Sequence, residues 1–190
     1  MIIPLRRLAF SSTAAAVAAF GGAIVAIHYH RLGLTLSHYD ARGHLVVARR
    51  IVDSLTPGWQ QIGAVWLPLP HLLNAIPVQI DALYRTGASA VVISIAAFAL
   101  ATGALAWLVL AITDSAWAAA AGAATFALNP SVLYLQATPM TEPLLLGLSV
   151  LSVSLLMELC RGRASQDTHR RDAPQADGRF GRTQIGRAHV

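Results

Sequence analysis

One stretch of the chain, residues 88–113, constrains the fold most strongly because it contains no charged side chain. A helix needs about 20 mostly apolar residues to cross the hydrocarbon core of a bilayer, and this stretch is longer than that. Further apolar runs cover residues 8–27, 116–137 and 143–160. Only 12% of the 190 residues are charged, whereas soluble domains carry about 25%. The composition excludes a water-soluble globule and predicts an all-α integral membrane protein with about four transmembrane helices.

Two of the four apolar runs carry an irregular feature. The run over residues 8–27 follows Arg6 and Arg7, as the core of a signal peptide does, but it is longer than the usual core of about 7–15 residues. We therefore expect an uncleaved anchor. The run over residues 116–137 is interrupted by Asn129-Pro130, and because proline removes a backbone donor, we expect a kink or a break there.

The placement of arginine predicts the orientation of the chain. Arg6 and Arg7 precede the first span, and Arg161 and Arg163 follow the fourth. Cytoplasmic flanks of membrane spans carry an excess of basic residues. Both termini are therefore expected in the cytoplasm of a multi-pass protein of the cell (inner) membrane. The long loop over residues 28–87 then lies outside the cytoplasm.

That loop is predicted to contain two amphipathic helices. Apolar residues recur at the spacing of one helix face over residues 41–55 and again over residues 69–84. Asp40 is placed to cap the first of these helices. Amphipathic helices beside a membrane lie in the interface, with their apolar faces among the lipid headgroups. We therefore expect an interfacial layer on the outer side.

Two acidic residues lie next to predicted span ends on that side, namely Asp40 and Glu142. One interpretation is local, because both acids are suited to the N-terminus of a helix. The other is functional, since ionisable groups at membrane depth are costly and often serve a function. Two such carboxylates would supply a general base and a ligand for a hydroxyl group or a metal ion. The residues alone leave both interpretations open.

Three arginines of the first loop helix are candidates for binding a lipid phosphate, because guanidinium matches phosphate geometry. They are Arg42, Arg49 and Arg50. The alternative is contact with lipid headgroups along the polar helix face. Asp53 lies about one turn from Arg49 and Arg50 and is predicted to pair with one of them.

The loop also holds three histidines that are candidates to assist Asp40 or to bind a cation. They are His38, His44 and His71. Their spacing matches no metal-ligand signature, so no metal site is predicted, and they are interpreted as solvated or interfacial. Asp114 and Glu158 belong to the opposite side of the membrane and are not expected to take part in chemistry.

An acid soon after the first span, a long outer loop and an Asn-Pro…Thr-Glu-Pro stretch before the fourth span together resemble the start of a GT-C membrane glycosyltransferase. The nearest group is the bacterial dolichyl-phosphate-mannose-protein mannosyltransferase-like type (family 39), to which aminoarabinose transferases are related. The resemblance covers residues 1–160, most specifically residues 37–54, 58–73 and 128–146. The order and spacing of these segments carry it, rather than any single motif.

The resemblance implies transfer of a sugar from a polyprenyl-phosphate donor in the membrane lipid to an extracytoplasmic glycan, lipid or protein acceptor. Asp40 matches the first-loop acid of the family and would be the general base. Glu142 matches the second acid, with a supporting role toward acceptor, sugar or metal, so a divalent cation stays open as a cofactor. Candidate substrate-binding residues are Arg42, Arg49 and His71. A single Asp where eukaryotic protein mannosyltransferases have an Asp-Glu pair argues against a protein acceptor.

The C-terminal segment, residues 161–190, has a different composition. It holds seven Arg against three Asp and no apolar periodicity, so we expect a disordered basic tail. Its arginines do not form a patch with aromatic residues, so no nucleic-acid partner is expected. Residues 185–190 match one translated frame of a common short-read sequencing adapter. The expectation is that the natural chain is longer and that residues 1–160 are its N-terminal part.

A second class of function is compatible with the same residues. A four-span chain would also serve as a non-enzymatic membrane subunit, carrier component or scaffold. Small side chains over residues 118–124 would allow a partner helix to approach closely.

Overall fold

The computed structural model of the chain describes residues 5–63 and 65–172, and these contain helices and connecting turns but no strand. Short 3-10 helices cover Trp59–Ile62 and Pro77–Gln79. The α-helices in chain order are α1 Leu5–Arg31, α2 Tyr39–Arg50, α3 Pro68–Asn74, α4 Asp81–Thr86, α5 Ala88–Thr113, α6 Ala116–Ala127, α7 Pro130–Gln136 and α8 Glu142–Asp172. The prediction of an all-α chain is confirmed.

Three helices are long and apolar enough to cross a membrane: α1, α5 and the Glu142–Ala164 part of α8. Helices α6 and α7 pass the same test only as a pair, which is bent by 64°. The predicted break in this third run is confirmed at Asn129-Pro130. There the Asn129 side chain accepts hydrogen bonds from the backbone N–H groups of Ser131 and Val132, and thereby caps α7. The described residues thus provide three to four segments that are long and apolar enough to span a membrane, as in a multi-pass helical membrane protein.

Helix α5 lies at the centre of the bundle, with α1, α8 and α6 packed along its sides. A glycine at each of two helix contacts allows this close approach: Gly103 of α5 faces α1, and Gly147 of α8 faces α5. A Cβ atom added at Gly103 would lie 2.9 Å from the Ala15 Cβ, and one added at Gly147 would lie 2.8 Å from the Ala97 carbonyl oxygen. Small residues of this kind let helix backbones meet in a membrane, where van der Waals contact is a main attraction.

The loop helices differ from the predicted ones in their ends and continuity. Helix α2 begins at Tyr39 and ends at Arg50, and its N-cap is His38, so Asp40 lies in the first turn and is not the cap. The helix predicted over residues 69–84 is divided into α3, a 3-10 turn and α4. Pro77 explains the division, because a proline inside a helix removes a backbone hydrogen bond and clashes with the preceding turn.

The C-terminal segment is helical further than predicted. Helix α8 continues to Asp172, so the expectation of disorder from Arg161 onward is corrected for residues 161–172. Arg161 also donates a hydrogen bond from its side chain to the Ala111 carbonyl at the end of α5. Residues 173–190, including the adapter-like residues 185–190, lie outside the described part of the chain.

Candidate functional site

The bundle has two dissimilar ends. We call one the loop end, because it carries residues 32–87 and the turn between α7 and α8. We call the other the turn end, because it carries the turn between α5 and α6 at Asp114 and Ser115. The predicted site residues all belong to the loop end.

Two histidines of the loop end are joined by a buried hydrogen bond. His44 Nδ1 of α2 lies 3.1 Å from His71 Nε2 of α3, and His71 Nδ1 lies 2.7 Å from the Leu67 carbonyl oxygen. The Trp66 ring packs edge-on against His44, with 4.4 Å between ring centroids. The interpretation of these two histidines as solvated or interfacial is therefore wrong. The fold-back of α3 onto α2 buries them.

The electrostatics keep both rings neutral near neutral pH. Burial lowers the pKa of His44 to about 4; the neighbouring His71 and, more weakly, His38 act in the same direction, and Asp40 opposes them. Burial also lowers the pKa of His71, against the hydrogen bond to Leu67, which raises it. A neutral imidazole has one N–H donor and one acceptor nitrogen, so each ring is available for a directed hydrogen bond.

A small cavity lies between α2, α3, α5 and the turn that leads into α8. Its volume is about 20 Å³, which is room for about one water molecule or one hydroxyl group. Its polar lining residues are His44, His71, Asn74, Ser94 and Thr141. The Ser94 hydroxyl already donates toward the Thr138 and Met140 carbonyls, whereas the buried Asn74 Oδ1 has no hydrogen-bond partner among the described residues. One residue of the cavity lining therefore carries an unsatisfied acceptor.

The two predicted catalytic acids belong to α2 and α8, which both contribute side chains to the cavity wall, but neither acid lines the cavity itself. Asp40 is 44% exposed in the first turn of α2, with its carboxylate 3.8 Å from His38 Nδ1. Glu142 begins α8, and its Oε2 atom is buried without a hydrogen-bond partner in the described part of the chain. No hydrogen bond or ion pair among the described residues joins the two acids. Helix α2 lines the cavity with His44, and α8 lines it with Leu144.

The two arginines assigned to the substrate differ in their surroundings. Arg49 forms ion pairs with Asp53 (3.0 Å) and Asp81 (2.7 Å), and its guanidinium lies 4.6 Å from the centre of the Tyr84 ring. The predicted pairing with Asp53 is confirmed, but Asp81 was not anticipated. With two carboxylates already bound, Arg49 joins α2 to α4, and its binding of a phosphate stays a prediction.

Arg42 is the candidate that stays available. It is exposed, forms no ion pair among the described residues, and its Nε atom donates to the Leu36 carbonyl at 2.8 Å. For metals, the described residues hold no group of three or more His, Cys, Asp or Glu side chains placed to bind an ion. Arg50 is likewise exposed and forms no ion pair among the described residues, so the site is built from carboxylates, neutral imidazoles and two accessible guanidiniums.

The turn end holds a separate polar cluster that sequence analysis did not assemble. The buried Glu158 carboxylate accepts hydrogen bonds from Arg7 (3.4 Å) and from the Trp107 indole N–H (3.0 Å). Arg7 also lies 3.8 Å from the Asp114 carboxylate. Arg7 balances the charge of Glu158, and the contacts of Glu158 join α1, α5 and α8.

Between α1 and α6 runs an apolar groove of about 500 Å³. Both helices pack on α5 but barely touch each other. The walls are mainly small side chains: Ala14, Ala18, Gly21, Gly22, Ala120, Ala123, Ala124 and Ala127. The groove contains no charged residue, and its place in the bundle sets it apart from the loop-end site.

The fold and the site together define a multi-pass helical membrane protein with a polar, acid-containing site at one end of the bundle. Comparison with protein-family models, with curated proteins and with solved structures found no match to the chain. The functional argument therefore rests on the residues of the loop end.

Proposed function

We propose that the chain is the N-terminal part of a GT-C-type membrane glycosyltransferase that uses a polyprenyl-phosphate sugar donor outside the cytoplasm. The observation that carries the proposal is the placement of Asp40. It is a half-exposed carboxylate at the loop end of a membrane bundle, in the first turn of α2, the helix that also carries the cavity-lining His44. A carboxylate so placed remains accessible to an incoming hydroxyl group, which a general base must reach directly.

The proposed reaction is a single displacement with inversion at the sugar. Asp40 takes the proton of the acceptor hydroxyl while the acceptor oxygen attacks the anomeric carbon of the donor sugar. The bond between that carbon and the phosphate oxygen breaks, and the electron pair leaves with the polyprenyl phosphate. Arg42, two residues after Asp40, is the guanidinium proposed to meet the leaving phosphate, because Arg49 is already paired with two acids and Arg50 lies at the far end of α2.

Glu142 is assigned a supporting role. Its Oε2 atom is buried and unpartnered among the described residues, and α8 begins with it. An isolated buried acceptor of this kind gains most from a hydroxyl donor or a cation, since an unmade hydrogen bond costs about 1–3 kcal/mol. In the proposed enzyme, Glu142 would contact the sugar, the acceptor or a divalent cation.

The test is substitution of Asp40 by Asn in the protein as it is encoded at its locus. Membranes carrying it would be given polyprenyl-phosphate mannose, and release of lipid phosphate would be measured. We expect at least about a hundredfold loss of turnover, since a general base contributes about that much or more. Asp53→Asn is the matched control, because Asp53 is an exposed acid following the same helix. Unchanged turnover in Asp40→Asn would contradict the proposal.

The proposal that the chain is part of a longer protein has its own test. Long-read sequencing of the locus beyond the Cys160 codon should reveal further apolar spans in frame, and the codons for residues 185–190 should be absent. A natural stop codon after Val190 would contradict this part of the proposal.

A second candidate is a non-enzymatic membrane subunit, and the apolar groove between α1 and α6 favours it. Small residues line both walls, and Ala120 and Ala124 are exposed on α6. In this case a leucine at Ala120 would prevent a partner helix from entering and would abolish co-purification of the partner. Asp40→Asn would leave that complex intact, so the two variants separate the two functions.

A further inference from the structure

We propose that His44 is a substrate-binding residue of the loop-end site, whose Nε2 atom accepts a hydrogen bond from a hydroxyl group of the acceptor, and that His71 is a positioning residue that fixes the His44 ring. The inference deepens the proposed function and rests on it, because it assigns the cavity side of the site to the hydroxylated acceptor and not to the lipid phosphate.

The Leu67 carbonyl determines where the protons lie. A carbonyl oxygen only accepts hydrogen bonds, so the 2.7 Å contact requires a proton on His71 Nδ1. The buried His71 ring is neutral, and its Nε2 atom therefore has a lone pair. Proton positions in such a network follow from the fixed donor or acceptor at its end. Here the fixed group is the backbone carbonyl.

The protonation of His71 determines which nitrogen of His44 carries the proton. His71 Nε2 accepts at 3.1 Å, so His44 Nδ1 is the donor. In the neutral His44 ring the lone pair then lies on Nε2, which has no hydrogen-bond partner among the described residues. The Trp66 ring, at 4.4 Å between centroids, restricts rotation of His44. The protein thus builds an oriented acceptor and leaves it unused.

The groups around His44 are hydrogen-bond acceptors, so they favour a ligand that carries hydrogen-bond donors. Asp40 is four residues earlier on α2 and therefore on the same side of the helix. Asn74, whose buried Oδ1 is a second acceptor without a partner among the described residues, lines the same cavity as His44. A phosphate or carboxylate would face lone pairs and a negative charge here, whereas a hydroxyl group donates to them. The cavity of about 20 Å³ admits one such group.

The first arm of the test is nitrogen NMR of the imidazole rings in the ¹⁵N-labelled full-length protein in micelles. We expect His44 to be protonated at Nδ1 and unprotonated at Nε2. In His71→Phe, which removes the acceptor, the proton of His44 should redistribute toward Nε2. His30→Phe is the control, because His30 is an exposed histidine at the end of α1. A wild-type His44 ring protonated at Nε2 would overturn the inference.

The second arm separates binding from catalysis, using polyprenyl-phosphate mannose as donor and methyl α-mannoside as the acceptor probe. Loss of one hydrogen bond should raise the KM for the acceptor about tenfold in His44→Phe, with kcat changed less than about threefold. His44→Gln, which can place an amide oxygen nearby, should recover part of that loss. His71→Phe should show a smaller rise in KM.

The outcomes distinguish the inference from the proposed function. If Asp40→Asn abolishes turnover while His44→Phe has the KM of the wild-type protein, only the role of His44 is overturned. If Asp40→Asn retains turnover, or the wild-type protein transfers no sugar, the proposed function fails. A tenfold KM effect in His44→Phe together with the tautomer change in His71→Phe supports the inference.

Discussion

The two ends of the bundle treat their polar groups in opposite ways. At the turn end, the Glu158 carboxylate accepts hydrogen bonds from Arg7 and from the Trp107 indole, so these polar side chains have partners within the protein. At the loop end, the buried Asn74 Oδ1 and Glu142 Oε2 have no partners among the described residues. Each unsatisfied buried acceptor costs about 1–3 kcal/mol, so the loop end gives up stability that the turn end retains.

This difference in hydrogen bonding distinguishes a structural cluster at the turn end from a candidate ligand site at the loop end. The Glu158 carboxylate already has a cation and an indole N–H as partners within the protein, so we interpret it as a structural residue. Acceptors without partners gain stability only when something else donates to them. The loop end is therefore where a ligand with hydroxyl groups has the most to gain, and the same end carries Asp40 and the histidine pair.

The largest expected effect comes from breaking the turn-end cluster. Glu158→Ala would leave the Trp107 N–H without its acceptor and the largely buried Arg7 guanidinium with only the exposed Asp114 carboxylate, 3.8 Å away. Removal of one partner of a buried ion pair costs about 3–5 kcal/mol. We expect a decrease of that size in the free energy of unfolding, measured by SDS titration in mixed micelles.

A conservative variant sharpens this result. Glu158→Gln retains an oxygen for the Trp107 N–H but removes the charge that pairs with Arg7, so its loss should be smaller than that of Glu158→Ala. The control is Asp53→Asn, an exposed acid at the loop end. Equal stability of Glu158→Ala and the wild-type protein would show that the cluster does not hold the helices together.

The next largest effect on the free energy of unfolding is expected from the close packing of α8 on α5, between the two ends of the bundle. In Gly147→Ala the new Cβ would lie 2.8 Å from the Ala97 carbonyl oxygen, so α8 must shift away from α5. Overpacking typically costs about 1–3 kcal/mol. Gly21→Ala is the matched control, because nothing lies within 4 Å of its added Cβ and alanine favours the helix. A stable Gly147→Ala protein would contradict the close α5–α8 contact.

Much of the bundle is predictable from sequence because the bilayer fixes the length of an apolar helix. The uncharged run over residues 88–113 coincides with α5, and Asn129-Pro130 breaks the third run as expected. Apolar periodicity was a weaker guide in the loop, where it extended across Pro77 although the proline itself marks the break. Absence of periodicity was also misleading after Arg161, since extending an existing helix requires no new nucleation.

The site was only partly predictable, and the reason is spatial. Asp40 and Glu142 are conspicuous as rare acids, and the sequence identified both. The His44–His71 contact joins residues 27 positions apart, and no periodicity relates them. It forms only because α3 folds back on α2. Arg49 shows the converse limit, since its second partner, Asp81, becomes visible only when α4 is placed beside α2.

The histidine pair makes the loop end sensitive to acid, which the turn end should not be. Their pKa values in the folded protein are lowered, that of His44 to about 4. A lowered pKa stabilises the fold above the unfolded value of about 6.5, and this stability is lost as the pH falls toward about 4. With allowance for solvent screening, the loss is about 1–2 kcal/mol. Hydrogen exchange should report it in α2 and α3.

The matching control for the acid response is His44→Phe, which cannot take up the proton. In that variant the hydrogen exchange of α2 should change little between pH 6.5 and 4, apart from the contribution of His71. Asp40 raises the pKa of His44, whereas His38 lowers it. In Asp40→Asn the hydrogen-exchange protection of α2 should therefore fall more steeply with acid than in the wild-type protein. A uniform loss of protection over α1, α5 and α8 would instead point to acid unfolding of the whole bundle.

The smallest effect is expected from the exposed ion pairs that join α2 to α4. Arg49 holds the pKa of Asp81 below its usual range, so the pair stabilises the loop at neutral pH and loses this contribution as acid protonates Asp81. Because Asp81 is exposed and Arg49 retains Asp53, Asp81→Asn should barely change the unfolding of the whole protein. It should speed proteolysis within residues 51–63 and 65–80 while leaving α5 protected. A large loss of global stability would show that the loop end is as firmly bound as the turn end and would remove the contrast between them.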